Sequence, residues 1–212
     1  MGVDPAADLA GLVAARTTVR HPREGDLAGL LAELRGLRDR EAIRDLALLY
    51  TRAVDDHDID TVVGMYTDDG VFDRRGDVAA GHAALRAAYA EAMDIYRMTL
   101  HTLDAHVVEL TGDDTAAGWA AGHAELVTRR TTVLAAYRYD DEYRRVGDRW
   151  LFARRTIAFM YAVPADELAG GLSGTDRMRW PGTAPEPADY PESLPTWTTY
   201  RHRDTARRKG MV

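Results

Sequence analysis

The sequence predicts an α+β domain in which helices pack on one face of a curved, mostly antiparallel sheet, with an extra N-terminal helix and a proline-rich C-terminal extension. Three observations carry this reading. Apolar residues follow helical spacing up to Tyr96, the period drops to two between Thr99 and Tyr161, and helical and strand-like stretches never alternate in βαβ fashion. The expected organisation is an N-terminal helical extension over residues 1–37, the domain over 38–162 and a C-terminal extension over 163–212.

In chain order, residues 5–16 and 26–39 read as amphipathic helices. Ile43, Leu46, Ala47, Tyr50, Ala53 and Val54 form the stripe of a core helix over 39–55, for which Asp39 is a candidate N-cap. Asp58 caps a short helix running through Met65, and residues 71–79 suggest a short hairpin. In GHAALRAAYAEAMDIY, Leu85, Ala88, Tyr89, Ala92, Met93 and Tyr96 share one face of a further helix. Two-fold alternation then predicts three or four long antiparallel strands, broken at GDD (112–114) and VGD (146–148). Six of the eight prolines follow Val163. That extension is expected to rest on the domain or on a neighbouring subunit through Trp180, Tyr190 and Trp197.

Composition removes several classes of function. The chain has 212 residues, 46% of them hydrophobic and 29% charged, which describes a soluble globular protein. No apolar run reaches the roughly 20 residues of a spanning helix, and MGVDPAADLAGLVAARTTVR carries an acid where a signal peptide would be basic. A cytoplasmic protein is therefore expected, with no membrane partner. Cysteine is absent, so disulfides, thiolate nucleophiles and thiolate metal ligands are excluded. A net charge of −7 with dispersed arginines argues against nucleic acid as the main partner. The single lysine, Lys209, makes a Schiff-base lysine or a P-loop a poor reading. No metal motif, GxSxG, GxGxxG or GxxxxGK[ST] occurs, which leaves cofactor-free acid–base chemistry.

The residues that could carry such chemistry are few. Asp55 sits near the C-terminal end of the core helix, where the helix dipole disfavours negative charge; either it is solvated there or a partner holds it at a cavity mouth. His101 shares strand parity with Leu103, Ala105 and Val107, whereas Thr102, Asp104 and His106 face the other way. Alone it reads as a core histidine; beside a carboxylate it becomes a general base of fixed tautomer. Arg155 shares parity with Leu151, Ala153, Ile157, Phe159 and Tyr161. It binds an anionic or leaving group, or else satisfies a buried carboxylate. Tyr50, Tyr137 and Tyr139 are core packing or phenol donors. His123 alternates with Trp119, Ala121 and Glu125, opposite the small face Gly118, Ala120, Gly122 and Ala124. Whichever face lines the cavity decides whether His123 joins the site.

Taken in order, REAIRDLALLYTRAVDDHDID with MYTDDGVF, then GHAALRAAY, LHTLDAHVVELTGDDTA and YRYDDEYRRVGDRWLFARR resemble the SnoaL-like branch of the nuclear-transport-factor-2-like superfamily, over residues 38–162. Within that branch the chain resembles the dehydratase-type members: scytalone dehydratase, hexachlorocyclohexane dehydrochlorinase and the bile-acid dehydratase. It implies a cone-shaped fold and a cofactor-independent lyase of small-molecule metabolism that uses an Asp–His dyad to remove a proton and expel water or halide. By the resemblance the aspartate falls on Asp55, the histidine on His101, the helix tyrosine of the bile-acid enzyme on Tyr50 and the last-strand arginine of the dehydrochlorinase on Arg155. Two phenols of scytalone dehydratase fall near Val54 and Arg74, and its second histidine falls closer to Leu126 than to His123. Candidate substrate contacts are His123, Tyr66, Tyr137, Tyr139 and Leu126, and a homo-oligomer, dimer or trimer, is expected. The same scaffold hosts ligand-binding proteins, structural subunits of ring-hydroxylating oxygenases, isomerases and epoxide hydrolases. A binding module would leave Asp55 and His101 apart or fill the cone with side chains.

Overall fold

The computed structural model of the chain describes residues 25–201 and, before them, Gly11, Val13, Ala14, Thr17 and Thr18. The helix expected over 5–16 therefore lies largely outside the described residues. Helix α1 spans Leu27–Asp55 and is one continuous element of 29 residues, where two helices meeting at Asp39 were expected. Nothing between 27 and 39 breaks a helix, and Asp26 supplies the cap, its side chain accepting from the Gly29 amide. Asp39 has other partners: it accepts from Trp150 Nε1 at 3.1 Å and pairs with Arg145 at 2.7 Å. His57, with φ of 58°, turns the chain out of α1. Asp58 then caps helix α2 (Ile59–Gly64) by accepting from the Thr61 amide.

Strand β1 (Tyr66–Arg74) and strand β2 (Asp77–Ala80) form the expected hairpin, somewhat longer than its sequence signal, and helix α3 covers Gly81–Ile95. Four long strands follow: β3 (Met98–Leu110), β4 (Thr115–Val127), β5 (Thr132–Val146) and β6 (Arg149–Pro164). The six strands form one sheet in the order β2-β1-β6-β5-β4-β3, antiparallel except for the parallel β1–β6 pair. α1 and α3 cover its inner face. This is an α+β, nuclear-transport-factor-2-like cone, with Ile43, Tyr50, Leu85, Val108 and Phe152 in its core. Among the described residues no helix is long and apolar enough to cross a membrane.

Bulges decide which side chains point into the cone. The β3–β4 register shifts between Leu103 and Ala105, so His106, expected on the outer face, turns inward to Tyr143. The β5–β6 register shifts between Ala136 and Tyr137, which moves Tyr161 off the face it was expected to share with Phe159. Tyr161 packs instead beside His123, with ring centroids 6.5 Å apart.

The C-terminal extension fills a vacancy on β6. β1 pairs with that strand only from Phe152 to Ile157, so its remaining backbone groups need partners. Asp189 Oδ2 accepts from the Phe159 amide at 2.8 Å, and Ala162 exchanges hydrogen bonds with Arg177 and Arg179. Trp180 meets Phe159 edge-on and Tyr190 lies under the Arg138 guanidinium, so two of the three expected anchors hold. Trp197 packs on Tyr200 within its own helical turn.

Candidate active site

Asp55 lies in the last turn of α1 and His101 in the first half of β3, before the bulge, so strand parity places His101 correctly on the inner face. The Asp55 carboxylate takes three hydrogen bonds. Oδ1 accepts from His101 Nδ1 at 2.6 Å and from Thr99 Oγ1 at 2.9 Å, and Oδ2 accepts from the His101 amide at 2.8 Å. Three donors from one strand compensate the unfavourable helix dipole and hold the carboxylate in place. With Nδ1–H committed to Asp55, the lone pair of neutral His101 sits on Nε2.

His101 lines a cavity of about 360 Å³ between the helices and the sheet. Its walls are chiefly aromatic and small: Tyr50, Phe72, Tyr89, Tyr137, Tyr139 and Phe159, with Ala88, Ala92, Ala124 and Ala135 leaving the space. Leu126, Val54 and Arg74 line it as well. The alanine and glycine face of β4 points inward, which sends His123 outward. Its side chain is 60% exposed and its Nδ1 is bonded to Asp104 at 2.5 Å. His123 is therefore corrected from a substrate contact to a residue of the outer sheet face. The inner face must be small here, because a Cβ on Gly122 would lie 2.6 Å from the Tyr137 hydroxyl and 2.3 Å from the Thr102 carbonyl.

The other candidates divide. Tyr50 lines the cavity, but its hydroxyl is hydrogen-bonded to Tyr89 at 2.7 Å, and Tyr89 to Tyr66 at 2.7 Å. Tyr66 stands behind Tyr89 and does not line the cavity. Tyr137 lies with its ring 5.9 Å from that of His101, and the Tyr139 hydroxyl makes no hydrogen bond to the described residues. Burial pushes the phenols of Tyr66, Tyr89, Tyr137 and Tyr139 well up, so all remain protonated donors.

Arg155 does not line the cavity. Its Nε and Nη2 each donate to Asp141 at 2.8 Å, and its guanidinium stacks 4.2 Å from the Tyr50 ring centroid and 4.1 Å from that of Tyr139. Burial opposes its charge, but Asp141 more than offsets this and keeps it protonated. It satisfies a buried carboxylate and supports the two phenol rings from behind.

Sequence reasoning missed Tyr89 as a site residue, although it stood on the inner stripe of α3. It also missed the mouth of the cavity. There Arg74 pairs with Asp77 at 2.6 Å, and Arg75 reaches Asp189 at 2.9 Å, clasping the β1–β2 tip to the extension that carries Trp180. The aromatic residues of the extension suggested that it docks, but not that Trp180 lines the cavity. Among the described residues no cluster of three or more His, Asp or Glu side chains is arranged to hold a metal.

Behind the cavity, Tyr143 donates to Asp141 Oδ2 at 2.8 Å and accepts from His106 Nε2 at 2.9 Å, which leaves His106 Nδ1 buried without a partner. Burial, above all, pushes His106 down to about 4 from 6.5. Between those values the unfolded chain binds a proton that the folded one refuses. The stability is therefore fully present above about pH 6.5 and is lost as the pH falls towards 4, by up to about 3 kcal/mol. In urea melts the native chain is expected to lose more stability than His106→Gln between about pH 7 and about pH 4.5. Equal losses would contradict this assignment.

The sequence profile of the SnoaL-like domain family matches residues 35–156. Among proteins of curated function, none matches the chain. Solved structures share the fold. A hexachlorocyclohexane dehydrochlorinase from Novosphingobium barchaimii is 20% identical with a TM-score of 0.59, covering 62% of this chain and 93% of that one. A protein from Novosphingobium aromaticivorans provisionally named a scytalone dehydratase is 17% identical with a TM-score of 0.58, covering 60% and 88%. A second protein from that organism, provisionally named an aromatic ring hydroxylase, is 32% identical with a TM-score of 0.58, covering 63% and 97%.

Proposed function

The chain belongs to the SnoaL-like domain family, and from that premise we propose that it is a cofactor-independent lyase, a dehydratase or a related eliminating or cyclising enzyme, acting on a small organic molecule held in the cone. The observation that carries this reading is the Asp55–His101 pair. Its carboxylate is tied to the imidazole at 2.6 Å, and the imidazole borders an apolar cavity of about 360 Å³.

His101 Nε2 takes a proton from a substrate carbon adjacent to, or conjugated with, an electron-withdrawing group. The C–H electron pair becomes the new double bond and expels a group from the neighbouring carbon. Asp55 stabilises the imidazolium, and the desolvated cavity strengthens that attraction. A halide departs as the anion; a hydroxyl departs as water once it receives a proton, which the imidazolium can return. Tyr139, with its hydroxyl uncommitted, is the phenol we place as donor to the electron-withdrawing group. Tyr50, bonded to Tyr89, shapes the wall beside it. The small inner face of β4 and the surrounding rings suit a compact, largely apolar, cyclic substrate.

The test is a panel of hydroxylated cyclic ketones and halogenated cyclohexanes. Loss of water is followed by mass spectrometry, halide release by ion chromatography, and turnover is repeated in the presence of a chelator. The expected outcome is chelator-resistant elimination from at least one of these classes. Compounds that bind in the cavity and are recovered unchanged would replace the lyase with a ligand-binding protein.

A further inference from the structure

Helix α1 is apolar on two opposite faces. One, centred on Ile43, Ala47 and Tyr50, is buried in the domain. The other carries Leu27, Leu30, Leu34 and Leu37, all between 44% and 68% exposed. At 100° per residue these four leucines fall within about 80° of one another, on the side away from Ile43. A surface helix needs one apolar stripe, and a second one left bare marks a contact surface.

The spacing identifies the kind of contact. Intervals of three, four and three residues are those of the a and d positions of two successive heptads, and Leu31, 46% exposed, flanks them at an e position. With Leu27 and Leu34 at a, Glu33 takes a g position and Arg38 the following e position. Both side chains lie on the exposed part of the helix, and neither is in an ion pair with a described residue. In a parallel pair of identical helices, Glu33 of each meets Arg38 of the other, and both bridges flank the leucine seam. Among the flanking residues Glu33 sets an acid beside the arginines, unlike the uniformly basic face of a helix that lies on anionic lipid. The domain does not obstruct this face: a Cβ on Gly36 would come within 3.5 Å of Leu110, so α1 rests on the sheet by a different side.

We propose that the N-terminal half of α1 is a homodimerisation helix, which pairs in parallel with the same helix of a second copy of this chain through Leu27, Leu30, Leu34 and Leu37. This inference is independent of the catalytic reading, because none of these residues lines the cavity.

Sedimentation equilibrium and light scattering on the full chain test it. The native protein is expected at twice 23.5 kDa. The double substitution Leu30→Glu, Leu34→Glu is expected to raise the dimer Kd on the order of a hundredfold or more, with the circular dichroism spectrum of the folded domain retained because both positions are exposed in the single chain. Since the chain has no cysteine, Leu30→Cys introduces a single thiol, which is expected to form an interchain disulfide across the d–d contact of the parallel pair. Glu33→Arg is expected to weaken the dimer and the double swap Glu33→Arg, Arg38→Glu to restore it. A dimer that survives the Leu30, Leu34 substitution uses another face and overturns the proposal. So does a monomeric native chain that dimerises only when residues 1–24 are removed, which would give the seam to that segment. A dimer that needs the leucines yet fails to cross-link at residue 30 overturns the parallel arrangement.

Discussion

Replacing His101 by alanine is expected to slow turnover by about a hundredfold to ten-thousandfold, the range general-base catalysis supplies, with little change in melting temperature. His101 faces a cavity, so truncating its ring enlarges a space that already exists instead of opening a void in packed core, and Asp55 keeps its bonds to Thr99 and to the backbone amide of residue 101. The measurement is kcat and kcat/KM on the best substrate of the panel, beside a thermal melt of the same preparation. Equal falls in kcat and kcat/KM would mark an interaction made in the transition state, whereas a rise in KM alone would mark His101 as a binding residue.

The second large effect concerns stability. Arg155→Met removes the cation from a fully buried pair and leaves the Asp141 carboxylate with only Tyr143 as a donor. A loss of about 3–5 kcal/mol in urea melts is expected, with concurrent loosening of Tyr50 and Tyr139, whose rings the guanidinium stacks against. A double substitution of Arg155 and Asp141 by apolar residues of similar volume is expected to recover much of that loss, because no unpaired charge then remains. If Arg155 served the leaving group instead, Arg155→Lys would fold with native stability and lose rate. A stable, slow Arg155→Lys would therefore contradict the structural role given to it.

Much of the fold was legible because its signals are local. Asp58 capped its helix, the alternating stretch formed four strands, and the turn residues broke them where the sequence implied. Strand parity carries reliable information only between bulges, and the site shows both outcomes. His101 precedes the β3 bulge and points where alternation puts it; His106 follows it and points the opposite way. Tyr137 and Tyr139 share a face because they fall in one uninterrupted stretch of β5, whereas Phe159 and Tyr161 lie on either side of an irregularity. A bulge inserts a residue without a composition signature, so these reversals had no signal to read.

The pairing of Asp55 with His101 was hidden for a different reason. It joins residues 46 positions apart on two elements, so spacing and parity offered only a carboxylate that defied the helix dipole, and the family resemblance alone implied the pair. The continuity of α1 past Asp39 was also hidden, because a good capping residue looks the same whether it caps a helix or, as here, accepts from a distant tryptophan. The place of Trp180 in the cavity wall depends on β6 outrunning β1, a length mismatch between strands that local sequence does not encode.

The central claim is that Asp55 and His101 act as one unit, and a double-mutant cycle tests it directly. It compares the turnover of His101→Ala, Asp55→Asn and the variant carrying both on a single substrate. Asp55→Asn is expected to be slowed by about a hundredfold or more, on the order of what a misdirected tautomer costs, and the double variant to be scarcely slower than His101→Ala. Losses that multiply across the two sites, or an Asp55→Asn protein of native rate, would contradict it.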